Sequence, residues 1–504
     1  MEVDATSRGD RRAVGLGKRA LVPLGVTGVL YGTRVTDVSA VDVACALLLA
    51  SMPWAAYVRW RRGGRSLLPL FALVAGIYWL YFAVPLFWGD RLSPALYGPR
   101  YVSSDSVTSA MLMAALGVCS LWVGRNLPMG RRVRIPELVR LSPSPGAWNY
   151  LRLLFAATTA FSLAESAPAA AGSSFRQLVI DLQSAIPLAL FIILLRGILR
   201  GRRAPVDILL VTGYVVVTFI TGLSSGWLGA WFMTALAFVL VVLAERKRFP
   251  ILPIVLLLPY VLFFQAGKQE YRQAYWNQGM QSSRLDRVAA WVDASAGAWG
   301  GALGGASGRG VLDLVRPMIM RTSLLTASAH VIAMTPGEVP FQYGSLYGYV
   351  AAGLVPRVLW PEKPSQNEAN QFVQVAYGFT SPRDLARVSI AVGSLTEAYI
   401  NFGWIGVIVV MVTLGTLLSW VESSFLNPDV GVLYSAIGML TALQLLSIES
   451  QLGVYLSGMV GRVLLLLVVC LPVMDANRRS HLGTRAGAGA SQSPGTLRPG
   501  EIMT

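Results

Sequence analysis

Residues Ile251 to Arg272 read ILPIVLLLPYVLFFQAGKQEYR, and within them the chain changes character. Up to Phe264 the side chains are almost wholly apolar; beyond Gln265 come Lys268, Glu270 and Arg272. In hydrocarbon a chain must satisfy its backbone N–H and C=O groups internally, so an apolar run of this kind is read as a membrane helix. The stretch marks the point where a series of apolar spans gives way to a long polar excursion. About 20 apolar residues cross some 30 Å of hydrocarbon. On that measure nine segments precede the break, at roughly 20–36, 38–58, 66–88, 106–124, 150–169, 177–195, 207–222, 227–244 and 250–265. Three follow it, at 402–420, 431–448 and 453–473.

The fold expected is therefore an all-α polytopic membrane protein with about 12 transmembrane helices and one large external loop between the ninth and tenth. A polar N-terminus, 1–19, leads into a bundle over 20–265; the loop covers 266–401 and a second bundle 402–473. The tail, 474–504, is rich in Gly, Ala, Ser and Arg and has too little apolar surface to offset ordering entropy, so disorder is expected there.

Composition agrees with this reading. Hydrophobic residues make up 54% of the 504 and charged residues 13%, about half the charge that a soluble chain carries. The net charge of +16 does not point to nucleic acid, because most Lys and Arg sit in short connectors between apolar spans, with no basic surface interleaved with stacking aromatics. Arg59, Arg61, Arg62 and Arg65, then Arg125, Arg131, Arg132, Arg134 and Arg140, then Arg196, Arg200, Arg202 and Arg203, then Arg246, Lys247 and Arg248 occupy alternate connectors. The opposite connectors hold Arg34, Arg91, Arg100 and Arg176. The positive-inside rule then puts both termini in the cytoplasm and the excursion outside the cytoplasmic (inner) membrane. Cys45, Cys119 and Cys470 all lie in apolar spans, His330 and His481 are the only histidines, and no Asp-x-Asp pair or Walker loop occurs. No metal, cofactor or nucleotide is expected. The first and second parts of the chain show no repeat of the kind that common secondary transporters carry.

Chemistry is expected in the excursion. From Val311 to Met334 apolar residues recur at helical spacing around Arg316, Arg321 and His330, with Pro317 in the first turn, predicting an amphipathic helix at the outer leaflet. Tyr343 to Leu359, with Gly344, Gly348 and Gly353, reads as a re-entrant segment. Pro356, Pro361 and Pro364 impose a stiff turn that projects Arg357, Trp360 and Lys363. Glu397 stands at the mouth of an apolar span, where desolvation makes a carboxylate a better proton acceptor; the alternative is an ion pair with one of the arginines. Tyr399 and Asn401 can meet sugar hydroxyls, and Asn401 can instead cap a helix beginning near Phe402. Trp360, Tyr343 and Tyr347 can stack on sugars or anchor at the interface. Arg462 lies in the middle of the last span and needs a partner such as Glu449.

These elements follow one another as Lys268-x3-Arg272, Met-Arg321-Thr-Ser, Thr335-Pro, Tyr343-Gly-Ser-Leu-Tyr, Val-Pro356-Arg-Val-Leu-Trp-Pro-Glu-Lys-Pro364 and Ser394-Leu-Thr-Glu-Ala-Tyr-Ile-Asn-Phe-Gly-Trp-Ile-Gly406. Over about 140 residues this order resembles the Wzy-type O-antigen polymerases, which join oligosaccharide repeat units. The resemblance implies a glycosyltransferase of polysaccharide biosynthesis at the outer face of the cytoplasmic membrane, acting on polyprenyl-diphosphate-linked oligosaccharides. Its implied partners are that substrate, membrane lipid, and a flippase and chain-length regulator of the same pathway.

In that frame Glu397, Arg321 and Arg357 are the catalytic candidates, and Lys268, Arg272, Tyr343, Trp360, Lys363, Tyr399, Asn401 and Arg462 the substrate-binding ones. Arginine suits a diphosphate leaving group, since its guanidinium stays charged and binds phosphate oxygens in pairs. The chain departs from the family pattern in two places. None of Arg272, Arg321 and Arg357 has a glycine eleven positions on, and His330 lacks the His-centred motif of the related ligases. The alternatives are a ligase-like transferase serving another acceptor and a transporter of lipid-linked or anionic solutes.

Overall fold

A computed structural model describes residues 21–89, 102–163, 173–227, 229–277, 280, 282–304, 314–315, 319–320, 323–355, 360, 362, 364–365, 367–385 and 390–476. The described residues are mostly helical, and each of the twelve apolar segments holds a helix. The first ten helices are α1 (Leu21–Gly32), α2 (Ala40–Gly63), α3 (Leu70–Trp88), α4 (Ser104–Asn126), the single turn α5 (Met129–Arg132), α6 (Pro145–Ser162), α7 (Ser173–Leu199), α8 (Pro205–Ser224), α9 (Gly229–Arg246) and α10 (Ile251–Ala266). Among the described residues, seven helices are long and apolar enough to cross a membrane: Ala40–Gly63, Leu70–Trp88, Ser104–Asn126, Val179–Leu199, Pro205–Ser224, Gly393–Ser424 and Leu452–Val473. Leu21–Gly32, Leu257–Ala266 and Val432–Leu445 are apolar but shorter.

Local chemistry sets several of the ends. Ser39 and Asp42 exchange side-chain and backbone hydrogen bonds at 3.1 Å each and close a capping box at the start of α2. Arg61 and Arg62 occupy its last turn, where a cation meets the negative end of the helix dipole. Several basic side chains are held by acids on neighbouring helices. Arg152 grips Asp207 in bidentate fashion at 2.6 and 3.1 Å, and Glu245 accepts from Arg196 at 2.7 Å and from Arg200 at 2.9 Å. After the last span, Met474–Ala476 pairs antiparallel with Val139–Leu141 and ties the end of the second bundle to the connector before α6.

The excursion is itself helical. α11 (Lys268–Arg272) runs into a π turn at Gln273–Asn277, and α12 (Arg284–Leu303) starts on a second capping box between Ser283 and Asp286. α12 packs on α8 and α10, with the Trp291 indole N–H donating to the Phe264 carbonyl at 2.9 Å. Next come α13 (Leu324–Met334), a 3₁₀ turn at Ser345–Tyr347, α14 (Gly348–Leu354) and α15 (Glu368–Ala376). The long helix α16 (Gly393–Ser424), then α17 (Val432–Leu445) and α18 (Leu452–Cys470), complete the bundle.

Two expectations about the excursion and the span after it are corrected. The Val311–Met334 segment is no amphipathic surface helix where it is described. In α13 every residue from Leu324 to Val331 is buried, because its polar groups find partners inside: Ser328 shares a 2.7 Å hydrogen bond with Thr396, and His330 Nε2 lies 2.9 Å from the Tyr377 carbonyl. Within the segment expected to be re-entrant, the helix Gly348–Leu354 has seven residues, about 10 Å of rise, and packs on α18. The tenth apolar span begins at Gly393, not near Phe402, and Phe402 and Gly403 form a kink inside it.

α16 is the axis of the molecule. It crosses α4 so closely that a Cβ on Gly124 would overlap the Val412 carbonyl and one on Gly415 the Leu121 carbonyl. Small residues at such a crossing let backbones meet where lipid supplies no hydrophobic drive between helices. Near its far end Glu422 accepts from Arg125 at 2.9 Å and from the Leu70 N–H at 3.0 Å. The start of α16 carries the candidate site.

Candidate functional site at the kink of the central helix

Gly403 adopts φ +60° and ψ −145°, a backbone region open essentially to glycine alone, and Phe402 beside it is also non-helical. The kink divides α16 into a buried first part, Gly393 to Asn401, and a longer second part whose Ile405 and Val409 are exposed. The loop after α13 is clamped onto the kink. Gln342 N–H donates to the Ile400 carbonyl at 3.0 Å and Tyr343 N–H to the Asn401 carbonyl at 2.9 Å. Asn401 completes the clamp from its side chain. Its Oδ1 accepts from Gly344 N–H at 3.0 Å, and its Nδ2 donates to the Glu397 carbonyl at 2.9 Å. Asn401 is thus a buried clasp rather than a helix cap, since no helix starts at Phe402.

The clamp forces left-handed backbone at Tyr343 (φ +46°) and Gly344 (φ +90°). A Cβ on Gly344 would stand 3.0 Å from the Phe402 ring, so glycine is required there by contact as well as by conformation. The outcome is a Tyr343 side chain 77% exposed at the mouth of a groove. Phe341, Tyr343, Tyr347, Phe402, Ile405, Gly406, Val409 and Val410 line this groove, which has a volume of about 480 Å³. Tyr399 is not in its wall; it packs edge-on against Phe341 and Trp404.

Glu397 lies behind the groove and is completely buried. Its Oε2 accepts the N–H of Leu452, the first residue of α18, at 2.7 Å, which places a carboxylate at the positive end of that helix. Its Oε1 has no hydrogen-bond partner among the described residues, and the same holds for the Tyr347 hydroxyl and both side-chain polar atoms of Gln451. Gln451 is the residue just before Leu452, and the 3₁₀ turn bearing Tyr347 touches both α16 and α18. The Tyr347 hydroxyl faces Asn401 without reaching hydrogen-bond geometry. Burial first, then the nearby Glu397 carboxylate, hold the Tyr347 phenol above its ordinary value, with Asn401 acting the other way. Tyr347 is therefore a neutral hydroxyl between an apolar groove and a buried acid. Such unpaired polar atoms are costly in an interior.

The other residues singled out in the sequence are scattered. Arg321, Arg357 and Lys363 lie outside the described residues. Trp360 is 44% exposed. Lys268 is buried and Arg272 half-buried in α11, beside Tyr271, which stacks on Trp291 in a small cluster with Leu223 and Phe264. That cluster is separate from the large core that contains Leu395, Tyr399 and Leu452. Arg462 does have a partner, but it is Asp181 of α7, 3.3 Å from Nε, with the side-chain amide oxygen Oε1 of Gln444 3.0 Å from Nη1. Glu449 does not fill that role.

Gln451 escaped the sequence reading. The polar run Ser447-Ile-Glu-Ser-Gln451 between two apolar spans was the available signal. Among the described residues no three His, Cys, Asp or Glu side chains gather in a group suited to a metal ion.

No curated protein and no solved structure matches the chain. A family model described as a domain of unknown function (DUF8712) matches residues 147–425, more than half of the chain and a span that includes Tyr347, Glu397 and Asn401, so the protein belongs to that family.

Proposed function

We propose that this protein is a membrane glycosyltransferase that polymerises polyprenyl-diphosphate-linked oligosaccharide repeat units at the outer face of the cytoplasmic membrane. The observation that carries the reading is the pairing of a fully buried carboxylate, with one oxygen unengaged, and an aromatic groove on the exposed flank of a membrane helix. A lipid-linked sugar donor is amphipathic, and this site has a matching division. The groove wall beyond the kink is Ile405, Val409 and Val410, suited to an isoprenoid chain, while the kink end offers Tyr343 and Tyr347 to sugar faces and hydroxyls.

In the reaction the acceptor hydroxyl oxygen bonds to the anomeric carbon of the donor glycan, and the bond from that carbon to the diphosphate oxygen breaks. The hydroxyl proton passes to Glu397 Oε1, and the diphosphate leaves with the bonding electron pair. Tyr347 and Gln451 orient the hydroxyl. Arg321, Arg357, Lys363 and Arg272 are assigned to the charge that grows on the leaving diphosphate, a task that guanidinium groups perform through paired hydrogen bonds. The topology belonging to this reading has twelve spans, 266–401 outside and both termini inside.

The test is to supply purified protein in nanodiscs with one defined polyprenyl-diphosphate oligosaccharide. A product ladder spaced by whole repeat units is the expected result. Transfer only to a different added acceptor establishes a ligase-like enzyme instead. Inertness with every acceptor overturns the glycosyltransferase reading and leaves transport, for which the Arg462–Asp181 pair within the bundle is the pertinent feature.

A further inference from the structure

A second concave site lies where α2, α4 and α16 end side by side, at the opposite end of α16 from the kink. Along the helix Glu397 and Glu422 are separated by roughly 35 Å of rise. This cavity, about 690 Å³, is lined by Arg59, Arg62, Arg65, Arg125, Arg131 and Arg134, with Glu422 and Asp429 as its acids. The six guanidinium groups face two carboxylates, and one of these is already engaged by Arg125 and the Leu70 N–H. Among the described residues Arg59, Arg62, Arg65, Arg131 and Arg134 form no salt bridge. Arg125 Nε is buried and has no acceptor.

The basic character continues into the wall. The Lys247 ammonium sits 4.4 Å above the Trp60 ring, and burial holds its proton affinity below the ordinary value for lysine. Part of this pattern follows from topology, since arginines gather in connectors on one side of a membrane and at helix C-termini. Topology alone, however, spreads cations over a surface. Elsewhere on the bundle Arg152, Arg196 and Arg200 are each matched by an acid, whereas Arg203 and Arg248, which form no salt bridge among the described residues, lie exposed and apart from the cavity. Converging six guanidinium groups on one cavity, where Arg125 and Arg131 already share the field of Glu422, costs mutual repulsion that a bound anion removes.

We propose that this cavity binds a phosphate-bearing anion. Phosphate is the anion whose oxygens several guanidinium groups can share through paired hydrogen bonds, and the volume lies within the range of small-molecule sites. Two sources offer that chemistry: the headgroup of an anionic phospholipid and a soluble diphosphate. The site is independent of the glycosyltransferase reading.

Delipidated protein in detergent is tested with two probes, inorganic pyrophosphate by calorimetry and cardiolipin by native mass spectrometry. The variant Arg65→Gln/Arg134→Gln removes two exposed rim cations and spares the Arg125–Glu422 pair. The control Arg203→Gln/Arg248→Gln removes the same charge from exposed positions outside the cavity. Loss of two charge-assisted contacts should weaken binding by about tenfold or more in the first variant and about twofold or less in the control. Binding of pyrophosphate identifies a soluble ligand, and retention of cardiolipin alone identifies a lipid headgroup; either supports the site. Failure of both probes to bind wild-type protein overturns it, as does equal weakening in both variants, which would mark a diffuse positive field. Should the first variant not yield a monodisperse protein, Arg131→Gln serves in its place with the same criterion.

Discussion

At the scale of single residues, Glu397 has two duties that substitution can separate. Its Oε2 holds the first N–H of α18, and its Oε1 is the proposed proton acceptor. Glu397→Gln keeps an acceptor for Leu452 but cannot take a proton. The expected outcome is normal membrane insertion and thermal stability, with chain growth reduced by about 10²–10⁴-fold, the usual loss when a general base is removed. Glu397→Ala also orphans the buried Leu452 N–H and should lower stability by about 1–3 kcal/mol, read as a reduced melting temperature in detergent. A Gln variant that polymerises at the wild-type rate would reduce Glu397 to a helix-capping role. Arg462 and Asp181 give a second separation. Arg462→Ala leaves Asp181 facing the bundle without its cation, whereas Arg462→Met with Asp181→Leu removes both charges, so the single variant should unfold at the lower temperature. The reverse order would place the value of Arg462 outside this pair.

At the scale of elements, the kink is the feature on which the groove depends. A side chain on Gly403 meets two obstacles, the φ +60°, ψ −145° backbone and the Phe341 ring 3.3 Å from the added Cβ. Gly403→Ala should therefore cost about 1–3 kcal/mol and displace Phe341 from the groove wall, lowering polymerisation beyond what lost stability explains. Gly146→Ala, where a Cβ meets nothing within 4 Å, is the control and should leave both properties unchanged. The reach of sequence reading is visible here. The apolar runs mark the bundle helices, because length and hydropathy are local quantities that hydrocarbon enforces directly, but they do not mark α12 in the excursion. Polar letters in the excursion misled. His330 reads as part of a polar helix face, yet it and the nearby Ser328 are buried, because their partners Tyr377 and Thr396 come from segments that no local pattern connects to them. Asn401 was recognised, but its role depended on where the helix starts. Gly393, in a left-handed conformation against the Ile448 carbonyl, begins the helix eight residues before Asn401.

At the scale of the whole molecule, every part of the mechanism depends on which side of the membrane the kink occupies. In the proposed topology the six-arginine cavity lies inside and the groove mouth outside, and α16 joins the two, so labelling at its two ends tests one assignment twice. Cys45 and Cys470 are buried and Cys119 half-buried, which keeps background reaction low. Tyr343 and Leu303 are 77% and 73% exposed within the excursion, and Met129 is 68% exposed beside the cavity. In intact cells a membrane-impermeant maleimide should modify Tyr343→Cys and Leu303→Cys at once, and Met129→Cys only after permeabilisation. The inverse pattern would put Glu397 on the cytoplasmic side, where a lipid-linked chain destined for export could not be extended by this enzyme, and the polymerase proposal would fall with it. Labelling of Leu303→Cys and Met129→Cys from the same side, with Tyr343→Cys from the other, would mean that the excursion itself crosses the bilayer. In that case a crossing would lie between positions 303 and 343, the stretch that includes Arg321, and the assignment of Arg321 to the leaving diphosphate would fall.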